Sequence, residues 1–180
     1  YYLKVAQNLA EGRGLTVDIV WNYFLPFASV THPSNEFWMP LTSLVIFVFY
    51  RILGVSFHTA QIPGVVAGAA LPVMTYVFAR RVFLEAGMPL TAASRASFAC
   101  SVLVSLNALL SYQSVVADST ALFAVIVLAA LIIAGNLNLR RNVWPHSLLL
   151  GILMGLAYLT RSHGVFLIVA WAGLWLLSWR

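Results

Sequence analysis

HSLLLGILMGLAYLTRSHGVFLIVAWAGLWLLSW, His146–Trp179, is apolar over almost its whole length and carries Arg161 and His163 near its middle. A charged side chain at bilayer depth is costly unless it is paired or wetted. Either these two residues lie outside the membrane or they are held there for a purpose. The topology of the rest of the chain decides which.

Composition fixes the class. Hydrophobic residues make up 62% of the 180 residues and charged residues 8%, with a mean hydropathy of +0.91. A soluble domain carries about 25% charged residues, so the sequence reads as an integral membrane protein. The single cysteine, Cys100, lies in an apolar run and excludes a disulfide framework or a cysteine-based metal site. Ten basic residues against five acids give a net charge of +5. In this setting that excess reads as topology and argues against nucleic acid as a partner. The opening YYLKVAQNLAEGRG is neither a signal peptide nor a start, which leads us to expect a piece of a longer chain.

Uncharged runs bounded by charges give the expected spans, since about 20 apolar residues cross the hydrocarbon core. They are Ile52–Ala79, Ala96–Ala117, Ser119–Leu139, Asn142–Thr160 and Ser162–Trp179. Phe37–Tyr50 is shorter and is expected to lie in, or dip into, the outer leaflet. The expected fold is all-α, with an extracytoplasmic first loop over 1–57 and a bundle of about five transmembrane helices over 58–180. Five passes put Arg80, Arg81, Arg95, Arg140, Arg141 and Arg180 on one side with a single acid, Glu85. That side is cytoplasmic by the positive-inside tendency. Arg161 and His163 then fall at an outer turn between two spans, with Gly164 available to relieve the bend, and Asp118 falls at the equivalent turn before them. Polar chemistry is gathered at one face.

The opening segment reads as an amphipathic helix, Tyr2, Val5, Ala6, Leu9 and Ala10 sharing a face, stopped by Gly12 and Gly14. Alone, it would be a surface helix lying on the bilayer. Trp38 reads as an interfacial anchor. His32 and Glu36 are two metal-ligand types without a third, so a solvated loop is the simpler reading. Asp118 is the only acid after Glu85. It is either functional, as acids at membrane depth tend to be, or a structural partner of Arg161, and the two roles are compatible. Gly64/Gly68 and Gly151/Gly155 are small-residue pairs suited to helix contacts, Asn107 suits an interhelical hydrogen bond, and Pro63 and Pro72 suit kinks.

In order, YYLKVAQNLAEGRGLT, THPSNEFWMPLTSLV, YVFARRVF, SYQSVVADSTALF and GLAYLTRSHGVFLI resemble the amino-terminal module of the GT-C type glycosyltransferases. The resemblance is to the polyprenyl-phosphate-sugar-dependent group that includes protein O-mannosyltransferases and aminoarabinose transferases. It implies transfer of a sugar, with inversion, from a polyprenyl-phosphate donor to a protein, lipid or glycan acceptor at the outer face of the plasma (inner) membrane. The family's proposed general base falls just ahead of Tyr1, outside this chain. The family's His-Pro element before an aromatic-Trp pair matches His32, Pro33, Phe37 and Trp38. Asp118 matches a second catalytic acid, and Leu159, Thr160 and Arg161 match a Leu-Thr-Arg element. The implied substrate-binding set is Arg161, His163, His32, Glu36 and Tyr2. Thr31 stands where some members place a glutamate near a metal, so a divalent metal is the one cofactor in view and is not carried over. His163 stands where relatives often have an acid or proline.

Two other classes compete. A transporter or flippase for a lipid-linked or polar substrate predicts polar residues at mid-span and an internal repeat, and the sequence shows neither clearly. A non-catalytic membrane scaffold predicts no acid pair ahead of Tyr1.

Overall fold

The structure, a computed structural model, describes residues 1–19, 30–34, 38–135 and 144–178. Glu36, Phe37, Arg140, Arg141 and Arg180, to which the sequence assigns roles, lie outside the described residues. Among the described residues the fold is all-α apart from one two-residue ladder. Its helices are α1 (Tyr2–Ala10), α2 (Leu41–Leu53), α3 (Phe57–Glu85), α4 (Leu90–Ser105), α5 (Ala108–Val115), α6 (Thr120–Gly135), α7 (Trp144–Thr160) and α8 (Val165–Ser178). A 3-10 turn, Ser162–Gly164, joins α7 to α8. Strands β1 (Thr16–Val17) and β2 (His32–Pro33) pair antiparallel, Thr16 opposite Pro33 and Val17 opposite His32.

Helix α1 ends where the sequence places its stop, with Gly12 at φ 80° and Gly14 at φ 74°, a backbone conformation that costs a glycine little. Its apolar face, however, is covered by protein. Tyr2 and Ala6 pack with Ile46 and Tyr50 of α2, Ala60 of α3 and Ala117 in one core cluster. Helix α2 does not traverse the bundle. It starts beside Trp38 and Met39, and it ends at Gly54 (φ 85°), three residues before α3 begins. The first turns of α3 pack back on Ala117, so both ends of α2 stay near one end of the molecule.

Helix α3 is the central element, packed on α4, α5 and α6. Ser56 caps it by accepting from the Thr59 amide at 3.0 Å. It runs unbroken through Pro63 and Pro72. Ser101 of α4 donates to the Pro72 carbonyl at 2.8 Å. The expected span Ile52–Ala79 is thus shifted, since Ile52 and Leu53 belong to α2 and the helix carries Arg80 and Arg81 within it.

The expected span Ala96–Ala117 is two helices, not one. The chain bends by 57° between α4 and α5, and Asn107 sits at the break, its side chain accepting from the Leu110 amide at 2.9 Å. Asn107 is a helix cap rather than an interhelical glue, because a cap satisfies an orphan amide that the broken helix would expose.

Gly64 and Gly68 pack as expected. A Cβ on Gly64 would lie 2.6 Å from the Ser114 carbonyl oxygen, and one on Gly68 would overlap the Ser114 side chain. Gly151 and Gly155 face open space among the described residues. A second core cluster of Ala130, Leu150 and Met154 joins α6 to α7, with Leu167 and Trp171 of α8 against it. At this far end Arg81 bonds Glu85 at 2.7 Å and donates to the Gly135 carbonyl. A cation there suits the carbonyl end of α6.

Among the described residues, only α3 is a single helix long and apolar enough to cross a membrane, and α4 with α5 qualify only as a bent pair. Helices α2, α6 and α7 are apolar but shorter. Large side chains nevertheless stand exposed along the flanks, among them Phe98 (64%), Leu103 (70%), Leu109 (67%) and Phe166 (68%).

Candidate functional site at the helix starts

Three chain turns converge at the end of the molecule opposite Arg81. The first is the link from α5 to α6. The Asp118 amide donates to the Val116 carbonyl at 2.7 Å, and the Phe123 amide donates to Ser119 at 2.9 Å, opening α6. This puts Asp118 one residue ahead of the cap, where the helix dipole favours a carboxylate. Asp118 Oδ2 accepts from the Thr120 amide at 3.1 Å and from the Thr120 hydroxyl.

The second is the link from α7 to α8. Arg161 adopts an extended backbone (φ −149°, ψ 137°) that ends α7, and the Gly164 amide closes the turn on the Arg161 carbonyl at 2.8 Å. Gly164 is needed for close approach rather than for bend relief. A Cβ there would lie 2.4 Å from the Tyr158 backbone nitrogen. The turn therefore lies flat on the end of α7, and Arg161 Nη1 reaches Thr120 Oγ1 at 2.8 Å.

The third is the start of α1, which brings Tyr2 over the other two. Together they enclose a cavity of about 180 Å³ lined by Tyr2, Asp118, Arg161 and His163, with Trp38 and Met39 on one side and Ser119, Thr160 and Ser162 completing the wall. Ordinary small-molecule pockets start at about 300 Å³, so this space suits one head group rather than a whole lipid. A larger cavity of about 290 Å³, between α3, α4 and α5, is lined by Gly68, Pro72, Val104 and Leu110 among others. It has no ionisable side chain in its wall.

The charges in the small cavity are tuned by their neighbours. Burial alone would push the Asp118 carboxyl up. The Thr120 hydroxyl, the Ser119 and Thr120 amides and the Arg161 charge outweigh it and hold the group below its ordinary value. Burial raises the Tyr2 phenol, with Asp118 adding to the rise and Ser119 and Arg161 opposing it.

Four of the six sequence-predicted site residues thus meet: Asp118, Arg161, His163 and Tyr2. His32 does not line the cavity. Its ring nitrogens face the carbonyls of Pro33 and Ile19, each at 3.1 Å, so it fastens the β-ladder. Glu36 lies outside the described residues. Trp38, read as an interfacial anchor, lines the cavity and stacks on Tyr1 with ring centroids 4.7 Å apart. The sequence reading also missed Ser119 and Thr120, although Asp-Ser-Thr ahead of an apolar run is a helix-start signature.

A divalent metal does not fit the described donors. Among the described residues Asp118 is the one carboxylate lining the cavity, its Oδ2 is taken up by Thr120, and a guanidinium stands beside it. Among the described residues no three His, Cys, Asp or Glu side chains cluster.

A second polar cluster, not foreseen, centres on Asp18. It accepts from Thr31 at 3.0 Å and Asn8 at 3.3 Å, and pairs with Lys4 at 3.4 Å and Arg13 at 3.7 Å. Asn8 is fully buried. The cluster ties α1 to the ladder.

Comparisons of the chain with protein-family profiles, with curated proteins and with solved structures returned no match.

Proposed function

We propose that the cavity is the donor-phosphate end of a membrane glycosyltransferase that uses a polyprenyl-phosphate sugar. The observation that carries this reading is the meeting of Asp118, Arg161, His163 and Tyr2, from distant parts of the chain, in one head-group-sized cavity. The helix starts support it. The first turns of α1, α6 and the α7–α8 turn open here, and helix starts favour an anion, a place that Asp118 itself takes at α6. The exposed apolar flanks support a bilayer around the bundle, since monomeric soluble proteins rarely expose such patches. The shorter apolar helices α6 and α7 would then cross with α3 and the α4–α5 pair, the cavity facing the extracytoplasmic side and Arg81 the cytoplasmic side.

In the reaction, the acceptor hydroxyl oxygen attacks the anomeric carbon as the bond from that carbon to the phosphate oxygen breaks. The electron pair leaves with polyprenyl phosphate, and the hydroxyl proton passes to a base. Arg161 and His163 bind the departing phosphate, where fixed donors act on developing charge. Asp118 is a weak base because its carboxylate is stabilised, so it serves to hold Arg161 and orient the acceptor or sugar. The base is the acid that the family resemblance places ahead of Tyr1, and Tyr2 lines the cavity.

The test is turnover of a radiolabelled polyprenyl-phosphate sugar by the full-length protein in membranes. Arg161→Ala should lower release of polyprenyl phosphate about 100-fold, the scale of losing one fixed donor. Asp118→Asn should lower it about 10-fold or more through lost positioning. Wild-type turnover in both variants, at equal folded amounts, would remove the site assignment.

A further inference from the structure

We propose that Thr120 is the positioning residue of this site: its hydroxyl joins Asp118 to Arg161 and sets the direction of the guanidinium, so that the two charges act as one unit. The inference rests on the phosphate-donor reading above. A hydroxyl has one proton to give and two lone pairs. Here the proton goes to Asp118 and a lone pair receives Arg161 Nη1 at 2.8 Å. The Thr120 amide bonds the same carboxylate oxygen at 3.1 Å, so backbone and side chain hold Asp118 together.

The geometry matters because of what it leaves open. A direct fork between arginine and aspartate would occupy two of the five guanidinium donors and close the carboxylate. With the hydroxyl between them, a single guanidinium N–H is spent on the bridge, and Arg161 still lines the cavity. Thr120 is not in the cavity wall, so it acts through its two neighbours. Its β-branch restricts χ1, which fixes the bridge more firmly than a freer side chain would. A helix-capping role alone needs only the Asp118–amide bond, and it leaves the link to Arg161 without purpose.

The experiment uses the full-length protein in lipid nanodiscs with Thr120→Val, Thr120→Ser and Asp118→Asn. Infrared titration of the carboxyl band, identified by its loss in Asp118→Asn, needs no substrate. Removing the hydroxyl donor destabilises the carboxylate, so Thr120→Val should titrate at higher pH than wild type, and Thr120→Ser should titrate with wild type. Turnover of the polyprenyl-phosphate sugar should fall about tenfold or more in kcat for the valine variant and stay within about threefold for serine, as expected for a bond to a charged group. Unchanged titration in Thr120→Val, or a serine variant as impaired as valine, overturns the proposal. If valine fails to fold, Thr120→Ala carries the same comparison. A shifted titration in a protein whose wild type releases no polyprenyl phosphate upholds the bridge and overturns the donor reading instead.

Discussion

Asp118 and Asp18 are both held below the ordinary carboxylate range, by different surroundings. Asp118 is half-buried and stabilised chiefly by Thr120. Asp18 is partly buried, lowered first by Thr31; burial opposes the shift, and Asn8, Lys4 and Arg13 add to the lowering. A depressed carboxylate stabilises the fold above its ordinary value and loses that contribution as pH falls through the lower, folded-state value. Thermal stability should therefore fall as pH drops below about 4, and Asp18→Asn should lower Tm at pH 7 and flatten that acid slope. An unchanged slope would mean the cluster does not couple to folding. At this scale the sequence was most informative where a polar residue stood alone. Asp118 and Arg161 are isolated in apolar surroundings, and isolation in that setting implies a partner. Thr120 and the Asp18 cluster were not legible, because their meaning lies in contacts between distant segments. His32 shows the converse, a residue marked by its motif that the ladder uses for fastening.

Glycine spacing alone did not distinguish a packed helix face from an open one. Gly64/Gly68 and Gly151/Gly155 share one pattern, yet among the described residues only the first pair meets a neighbouring helix. Gly64→Ala would press on the Ser114 backbone and should destabilise the protein by about 1–3 kcal/mol, the cost of overpacking. Gly151→Ala and Gly155→Ala should be neutral or stabilise by up to about 1 kcal/mol through helix propensity. Unfolding midpoints of the four alanine variants, Gly68→Ala included, check the division, and equal effects in both pairs would refute it. The α4–α5 break was hidden for a related reason. No glycine or proline marks Ser105–Ala108, and asparagine serves equally as a cap or as a bond between helices. Helix α1 was legible because its periodicity and its two glycines agree, although its cover, α2, was not.

Among the described residues, charged side chains from distant segments gather at two ends of the molecule. Tyr2, Asp118 and Arg161 gather at one, and Arg81 and Glu85 meet the last carbonyls of α6 at the other. Helix lengths could not be read the same way, since α3 carries its arginines inside its last turns and the 57° bend shortens the α4–α5 path. What joins the two ends is α3, whose 29 residues extend about 43 Å at 1.5 Å per residue. It is anchored to the core beneath the cavity through Ala60 and to α6 through Arg81. In the bilayer proposed for it, the apolar stretch 57–79 ahead of its arginines extends about 34 Å, a little longer than the roughly 30 Å hydrocarbon layer, and the small excess is taken up by tilt. On that proposal the protein would work as a thickness gauge: thinner lipid would lean the rod further and shift the cavity rim relative to the surface that presents a lipid-borne phosphate. Turnover in vesicles of graded acyl length should peak at one thickness and fall on either side, and a flat response would show that the rod and the rim move independently.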